Sequence, residues 1–449
     1  MRVALVVPEF LSGSSFLQPP LGMLYCATML ERDGYTVDVI DVRARGIPLR
    51  RLAQEINGAS FIVVTTTPYD QVQNFFVDYR FQYALRTINF LKEQFPQIPI
   101  AVCGSHGTVR PDLMLRDSRA DIVIIGEYEL TVSRLVRAVF ERTDLESVPN
   151  LVLRANGGQI KRTEEDLGSL HPELADDIIP AYHKIDMSAY YGDHYVNNQP
   201  VKRWHWAVIQ GSRGCPYSCT FCFNFWGKRV RKRSAEAVVS EMKLLEQEFG
   251  VEELFFIDFT FTLDRAWVME ICELIQKEGL KVRWASETRC DLVDEDLVKA
   301  MSTANCRRIW LGVESFDTNI LRNAEKYETV DVIHSAFRTV TQSGIEPSAF
   351  IMLGLPGETV ETLNRTIRGI YDFKIPYTKS VIVSTPRFGT AYYELAKLQY
   401  PYLGEYWQDL DAIKGLVANG MCPHLLQRVI NLMKNRDFVY SSICPQIGP

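Results

Sequence analysis

Five short apolar runs punctuate the first 126 residues: RVALVVP (2–8), YTVDVIDV (35–42), FIVVTTT (61–67), IPIAVCG (98–104) and ADIVIIG (120–126). Each is long enough for a strand and too short for a buried helix, and helical stretches separate most of them. Between the first two, PPLGMLYCATMLERDGY (19–35) puts Met23, Cys26, Ala27 and Leu30 on one helical face, with Gly34 as a stop. Continuous apolar strands alternating with helices bury both faces of a parallel sheet. Residues 1–145 are therefore expected to form a doubly wound, Rossmann-like α/β domain. Ligands bind such sheets beyond the carboxyl ends of the strands. Those ends carry TTTP, GSHGT and GEYE here, mostly small or polar residues suited to close backbone approach.

A second alternation starts near residue 205. Its strand candidates are WAVIQ, ELFFID, VRWASE, RRIWLGVES, PSAFIMLG and SVIVST, with helices between them. Six strand–helix units suit a partial (β/α)6 barrel over 201–395 better than a complete eight-unit barrel. Residues 146–200, of mixed polarity, read as a linker. Residues 396–449 read as a C-terminal segment, aromatic and irregular at first and then mainly helical.

At 449 residues the chain suits two or three domains. A formal net charge of −6 argues against a sequence-independent nucleic-acid binder, so no nucleic-acid partner is expected. The run KRVRKR (228–233) reads as a solvated face or a contact to an anionic small molecule. No apolar run approaches the ~18 residues of a membrane span, and MRVALVVPEF is not a secretory signal. A cytoplasmic location follows as the expectation, with thiols kept reduced and the ten cysteines not forming a disulfide framework.

Directly after the first strand of the second alternation, GCPYSCTFC (214–222) packs Cys215, Cys219 and Cys222 into nine positions, with no fourth cysteine nearby. A structural zinc site closes its tetrahedron with four protein ligands, whereas three thiolates leave a metal centre one open position. Spacing alone keeps two plain alternatives: a zinc site completed by a distant ligand, or a group of reduced thiols. A thioredoxin-like reading of Cys219 and Cys222 leaves Cys215 unexplained. The seven remaining cysteines form no second close-spaced set, and the other histidines, scattered, suggest no metal site.

The C-x3-C-x2-C spacing inside GSRGCPYSCTFC, with Phe221 before the third cysteine, resembles the radical S-adenosylmethionine (SAM) enzymes. The resemblance implies a [4Fe-4S] cluster on Cys215, Cys219 and Cys222, whose open iron binds SAM. It also implies an external one-electron reductant. FFIDFTFT (255–262) resembles the family's second-strand segment, with Asp258 the matching acid near the methionine end of SAM; Phe259 stands where a second acid is common. SETRCD (286–291) offers Arg289 to the SAM carboxylate. LGVES (311–315) resembles the ribose segment, with Glu314 and Ser315 as hydroxyl partners. FIMLGLPGET (350–359) resembles the adenine segment, with Gly354, Pro356 and Gly357, and STPRFGT (384–390) a sixth-strand ending.

The first domain and the connecting IIPAYHKIDMSAYY (178–191) resemble the cobalamin-binding members of that family. The resemblance implies cobalamin on the strand ends. Gly104, Ser105, Gly107 and Thr108 would line its nucleotide tail, Thr66 and Thr67 would approach the corrin, and Gly126 and Glu127 of GEYE would also lie at the cofactor. The D-x-H-x-x-G motif of another cobalamin-binding class is absent, so no histidine ligand to cobalt is expected and His106 is assigned to a loop or tail contact.

The activity implied is methylation of an unactivated carbon in a small-molecule substrate. One SAM supplies the methyl through cobalamin, and a second yields the deoxyadenosyl radical that removes a substrate hydrogen. The alternative is a radical dehydratase, cyclase or rearrangement enzyme with a first domain that kept the fold and lost the cofactor. A tRNA methylthiotransferase would need cluster cysteines in the first domain, where Cys26 and Cys103 stand isolated. Substrate identity and any proton-transferring residue are beyond the sequence.

Overall fold

The computed structural model describes residues 1–9, 17–67, 81–155, 159–166, 176–196, 199–373 and 381–406. Two seven-stranded sheets organise them.

The first sheet has the order β2-β1-β3-β4-β5-β6-β7. Its parallel part is β1 (Arg2–Val7), β2 (Thr36–Asp41), β3 (Phe61–Thr65), β4 (Ile100–Cys103) and β5 (Ile122–Ile124). β1, β3, β4 and β5 are buried almost throughout, as expected of strands covered on both faces. The helix Leu21–Arg32 follows β1 with Met23, Cys26, Ala27 and Leu30 all buried. In an order of 2-1-3-4-5 the connections reverse between β1 and β3, and the crevice opens at the carboxyl ends there. Thr66 and Thr67 follow β3 at that point.

The stretch read as a linker, 146–200, carries more structure than that reading gave it. β6 (Leu151–Arg154) and β7 (Ile160–Arg162) extend the first sheet antiparallel from β5. Tyr190, further on, is buried and donates from its hydroxyl to Asp41 at 3.0 Å. β8 (Tyr191–Val196) then pairs antiparallel with β9 (Gln199–Ile209) and forms one edge of the second sheet.

Six parallel strands make that second sheet: β9, β12 (Glu253–Phe256), β13 (Arg283–Arg289), β14 (Cys306–Glu314), β15 (Glu346–Leu353) and β16 (Val381–Val383). They keep chain order, and a helix follows each interior crossing, as a partial (β/α)6 barrel requires. Ser234, Asp264, Asp294, Thr329 and Thr359 each accept a backbone N–H from the first turn of the helix they open. Between β9 and β12 a short antiparallel pair intervenes, β10 (Ser212–Arg213) with β11 (Arg231–Lys232). The helix Ala391–Gln399 represents the C-terminal segment, most of which lies outside the described residues. No described helix is long and apolar enough to cross a membrane.

Candidate active site

The cysteine loop hangs from β10 and β11, with Ser212 opposite Lys232 and Arg213 opposite Arg231. Gly214 opens it at φ +93°, and a Cβ there would lie 2.1 Å from the Arg229 carbonyl oxygen. Only glycine lets the two ends of the loop approach so closely. Inside the loop the Cys215 N–H donates to Gly227 O at 3.1 Å and the Cys222 N–H to Cys219 O at 3.0 Å. Asn224 Nδ2 donates to the Cys215 carbonyl at 2.7 Å. The loop is also tied to the barrel. The Thr220 N–H donates to Ala324 O at 3.0 Å, and the Tyr392 N–H donates to Thr220 O at 2.9 Å. Phe221 packs beside Ile320, Ala324, Met352 and Leu355.

Cys215 and Cys219 are half-buried and Cys222 is exposed. Among the described residues no three Cys, His, Asp or Glu side chains crowd one point as a single metal ion would require. A cubic cluster makes a different demand, because its thiolates bind separate irons at separate corners and stand further apart. The donor set fits three corners of such a cube. Burial raises the Cys219 thiol above its ordinary value, while the Lys326 and Arg289 cations oppose the rise. The same cations would steady a thiolate once a metal had displaced its proton.

The expected SAM residues come from successive strand ends, and they divide into two groups. Arg289, at the end of β13, stacks over the Tyr217 ring of the cysteine loop at 3.9 Å and grips Asp291 through two bonds of 2.8 Å. Its buried Nη1 has no hydrogen-bond partner, an orphan donor that fits a carboxylate. Glu314, at the end of β14 with φ +63°, is buried and pushed up to about 7 by that burial, against the pull of Lys326 at 3.8 Å. Gly354 and Gly357 bracket the turn after β15; a Cβ on Gly357 would lie 2.5 Å from Asn323 Nδ2. The Gly354 N–H is held by the buried Glu358, and Pro356 O accepts from Asn323 at 3.4 Å.

Asp258 and Ser315 are turned to other work. Asp258 is wholly buried and accepts from Gly211 N at 3.0 Å and from the Ser212 hydroxyl, at the root of the cysteine loop. It anchors the loop and offers no face to a ligand. Ser315 is equally buried; its hydroxyl meets Thr366 Oγ1 at 3.0 Å and accepts the Asp317 N–H at 3.2 Å.

In the first domain, the segment after β4 is fitted closely to that after β3. Ser105 N–H donates to Thr67 Oγ1 at 2.9 Å, and Thr66 Oγ1 donates to Cys103 O at 3.2 Å. Gly104 sits at φ +107°, ψ −178°, and a Cβ there would meet Thr67 Oγ1 at 2.3 Å. Thr108 Oγ1 donates to Gly104 O at 2.9 Å and accepts the Gly126 N–H at 3.0 Å, joining the ends of β4 and β5. A Cβ on Gly107 would lie 2.8 Å from Val123 Cγ1. His106 is buried in the short helix Ser105–Val109. These residues thus form one strand-end cradle with its glycines at the points of tightest approach.

Glu127 departs from the expected cofactor role. One of its carboxylate oxygens meets Arg213 at 2.8 Å and the other meets Arg231, both in the second domain, and Glu129 Oε1 meets Arg213 at 2.6 Å. The sequence reading missed Arg213, Glu129, Lys326 and Glu328, the last a buried acid that pairs with Lys326 at 3.1 Å and accepts the Asp291 N–H at 3.0 Å. Arg213 and Glu129 stood inside quoted motifs, and a buried charge beside the loop was the available signal. Nearby, Phe223 and Val109 both pack against Gly389, so the loops of the two domains also meet through apolar contact.

Residues 209–370 match the radical SAM superfamily and residues 14–136 match the B12 binding domain. The chain thus carries a radical SAM domain together with a B12 binding domain. An uncharacterised methyltransferase of Pyrococcus horikoshii is 29% identical across 100% of this chain and 94% of its own length. An anaerobic magnesium-protoporphyrin IX monomethyl ester cyclase of Rubrivivax gelatinosus is 27% identical across 83% of this chain, which spans 66% of that relative. The fold of this radical SAM protein resembles TsrM of Kitasatospora setae, a radical SAM methyltransferase solved with cobalamin and a [4Fe-4S] cluster. The two superpose with a TM-score of 0.68 at 20% identity, over 83% of this chain and 70% of that one.

Proposed function

We propose that this radical SAM protein methylates an unactivated carbon of a small molecule. The observation that carries the reading is that the cysteine loop and the strand-end cradle of the first domain are joined by one buried ion-pair network. When bound, the cluster and SAM would supply a radical that removes hydrogen, and cobalamin would supply a methyl group. Cys215, Cys219 and Cys222 would hold the cluster. The orphan Nη1 of Arg289 would bind the SAM carboxylate, and Glu314 would accept from a ribose hydroxyl. The Gly354–Gly357 turn would receive adenine along its backbone. Thr66, Thr67, Gly104, Ser105 and Thr108 would hold cobalamin through backbone and hydroxyl groups. The packed loops around Phe223 and Gly389 would exclude water, as a reactive carbon radical demands.

The P. horikoshii relative, named a methyltransferase, supports methyl transfer. The cyclase relative supports the second reading, radical chemistry without it. Product stoichiometry separates them. Anaerobically reconstituted, reduced protein should retain cobalamin through desalting and convert SAM to S-adenosylhomocysteine and 5′-deoxyadenosine together. Omitting cobalamin should remove the first product and leave the second. Deoxyadenosine alone from a protein that retains no cobalamin would overturn the methyltransferase reading in favour of the cyclase class.

Gly104→Ala gives a narrower check. The added Cβ meets two threonine hydroxyls, at 2.3 and 3.0 Å, on a backbone that strongly favours glycine. Cobalamin affinity should fall about tenfold or more, measured as cobalamin retained after desalting, with cluster iron unchanged.

A further inference from the structure

The Arg213 guanidinium is spent on three separate partners. Its Nε donates to Gln210 Oε1 at 2.9 Å, Nη1 to Glu127 at 2.8 Å and Nη2 to Glu129 at 2.6 Å. Glu127 also holds Arg231 with its second oxygen. All four charged side chains are more than nine-tenths buried, and within this set two positive charges face two negative ones. The rings of Tyr25 and Trp226 flank the guanidinium at 5.7 and 5.9 Å. The two arginines sit opposite each other on β10 and β11, the strands from which the cysteine loop hangs, and Arg213 is two residues from Cys215. The two glutamates belong to the segment just after β5, and Gly126 in that segment is bonded to Thr108 of the strand-end cradle.

A network placed there does more than join two domains. A planar fork with fixed donor directions determines an orientation, whereas a lysine in the same place would supply only a point charge. We propose that Arg213 is a positioning residue, fixing the cysteine loop in register with the ligand edge of the first domain so that the cluster and the methyl donor face one substrate. This rests on the methyltransferase reading for what is positioned, but the geometry acts on the cluster loop whatever the product.

Two variants test it. Arg213→Lys keeps the buried charge balanced and removes the fork. It should retain cluster iron and cobalamin. It should leave KM for SAM within about twofold but lower kcat for deoxyadenosine formation by roughly 10- to 100-fold, the range for partners that orient a metal site. Its reduced-cluster electron paramagnetic resonance signal should also differ from that of the parent. Arg213→Met with Glu129→Gln removes one charge of each sign. This pair should unfold at a higher temperature than Arg213→Met alone while kcat stays low. A parent-like spectrum and kcat in Arg213→Lys, or kcat returning with stability in the double variant, would reduce the network to burial of matched charges and overturn the proposal. Deoxyadenosine formation and the cluster signal need no methyl transfer, so failure of the methyltransferase reading would show separately, as missing S-adenosylhomocysteine in the parent protein.

Discussion

Cys219→Ala, reconstituted anaerobically with iron and sulfide, should hold only background iron and form no 5′-deoxyadenosine. A cube with three protein ligands has none to spare, and the loop offers no substitute. Of the other described cysteines, Cys26, Cys103, Cys272, Cys290 and Cys306 are all buried, and among the described residues no three Cys, His, Asp or Glu side chains crowd together elsewhere to hold a metal. Loss of the thiolate also leaves the buried Lys326 and Arg289 facing a position that has lost the negative charge they favour. Cys290→Ala is the control. Its thiol donates only a weak contact to Gly312 O at 3.8 Å, so the variant should keep its iron and its SAM cleavage. The measurement is iron and sulfide per chain beside deoxyadenosine yield. Full iron in Cys219→Ala would remove this cysteine from the ligand set and with it the cluster assignment.

Cysteine spacing is legible in sequence because it is local: nine residues carry all three thiols and the glycine that closes their loop. The parallel strands are legible for a similar reason, since burial on both faces forces an unbroken apolar run, as in Ile100–Cys103. β7 gives no such signal. Ile160, Lys161 and Arg162 are all exposed, and only pairing to Val152, Leu153 and Arg154 makes them a strand. The site residues that changed role did so through partners distant in sequence. Glu127 reads as a loop acid until Arg213, 86 positions on, is folded against it. Ser315 reads as a ribose partner until Thr366 occupies its hydroxyl. A motif identifies which residues gather at a strand end, while the allocation of their hydrogen bonds is a tertiary property. Arg289 kept a donor without a partner, whereas both carboxylate oxygens of Asp258 are taken up by Gly211 and Ser212.

Asp258 leads to a pH dependence. Its carboxylate is wholly buried, and burial pushes it up to about 6 against the bonds from Ser212 and Gly211 that favour the charged form. An unfolded Asp titrates near 3.9. The folded protein therefore holds this proton more tightly than the unfolded chain. The stabilisation is complete below about pH 4 and is lost as pH rises through about 6, amounting to about 3 kcal/mol from a separation of roughly two pH units. Buried Glu314 and Glu358, each pushed up to about 7, act in the same direction, so the test is a difference between variants. Asp258→Asn can accept the Gly211 N–H with its amide oxygen and donate to the Ser212 hydroxyl with its amide nitrogen, carrying no charge to desolvate. Its urea midpoint should change less between pH 4.5 and 7.5 than that of the parent. At pH 7.5 it should be as stable as the parent or more so. Asp258→Ala strands both donors at the root of the cysteine loop and should cost about 3 kcal/mol, with cluster iron lost alongside. Equal pH slopes for the parent and Asp258→Asn would mean that the carboxylate stays ionised in the fold. Its bonds to Gly211 and Ser212 would then outweigh its burial, and Asp258→Asn would be destabilised at neutral pH.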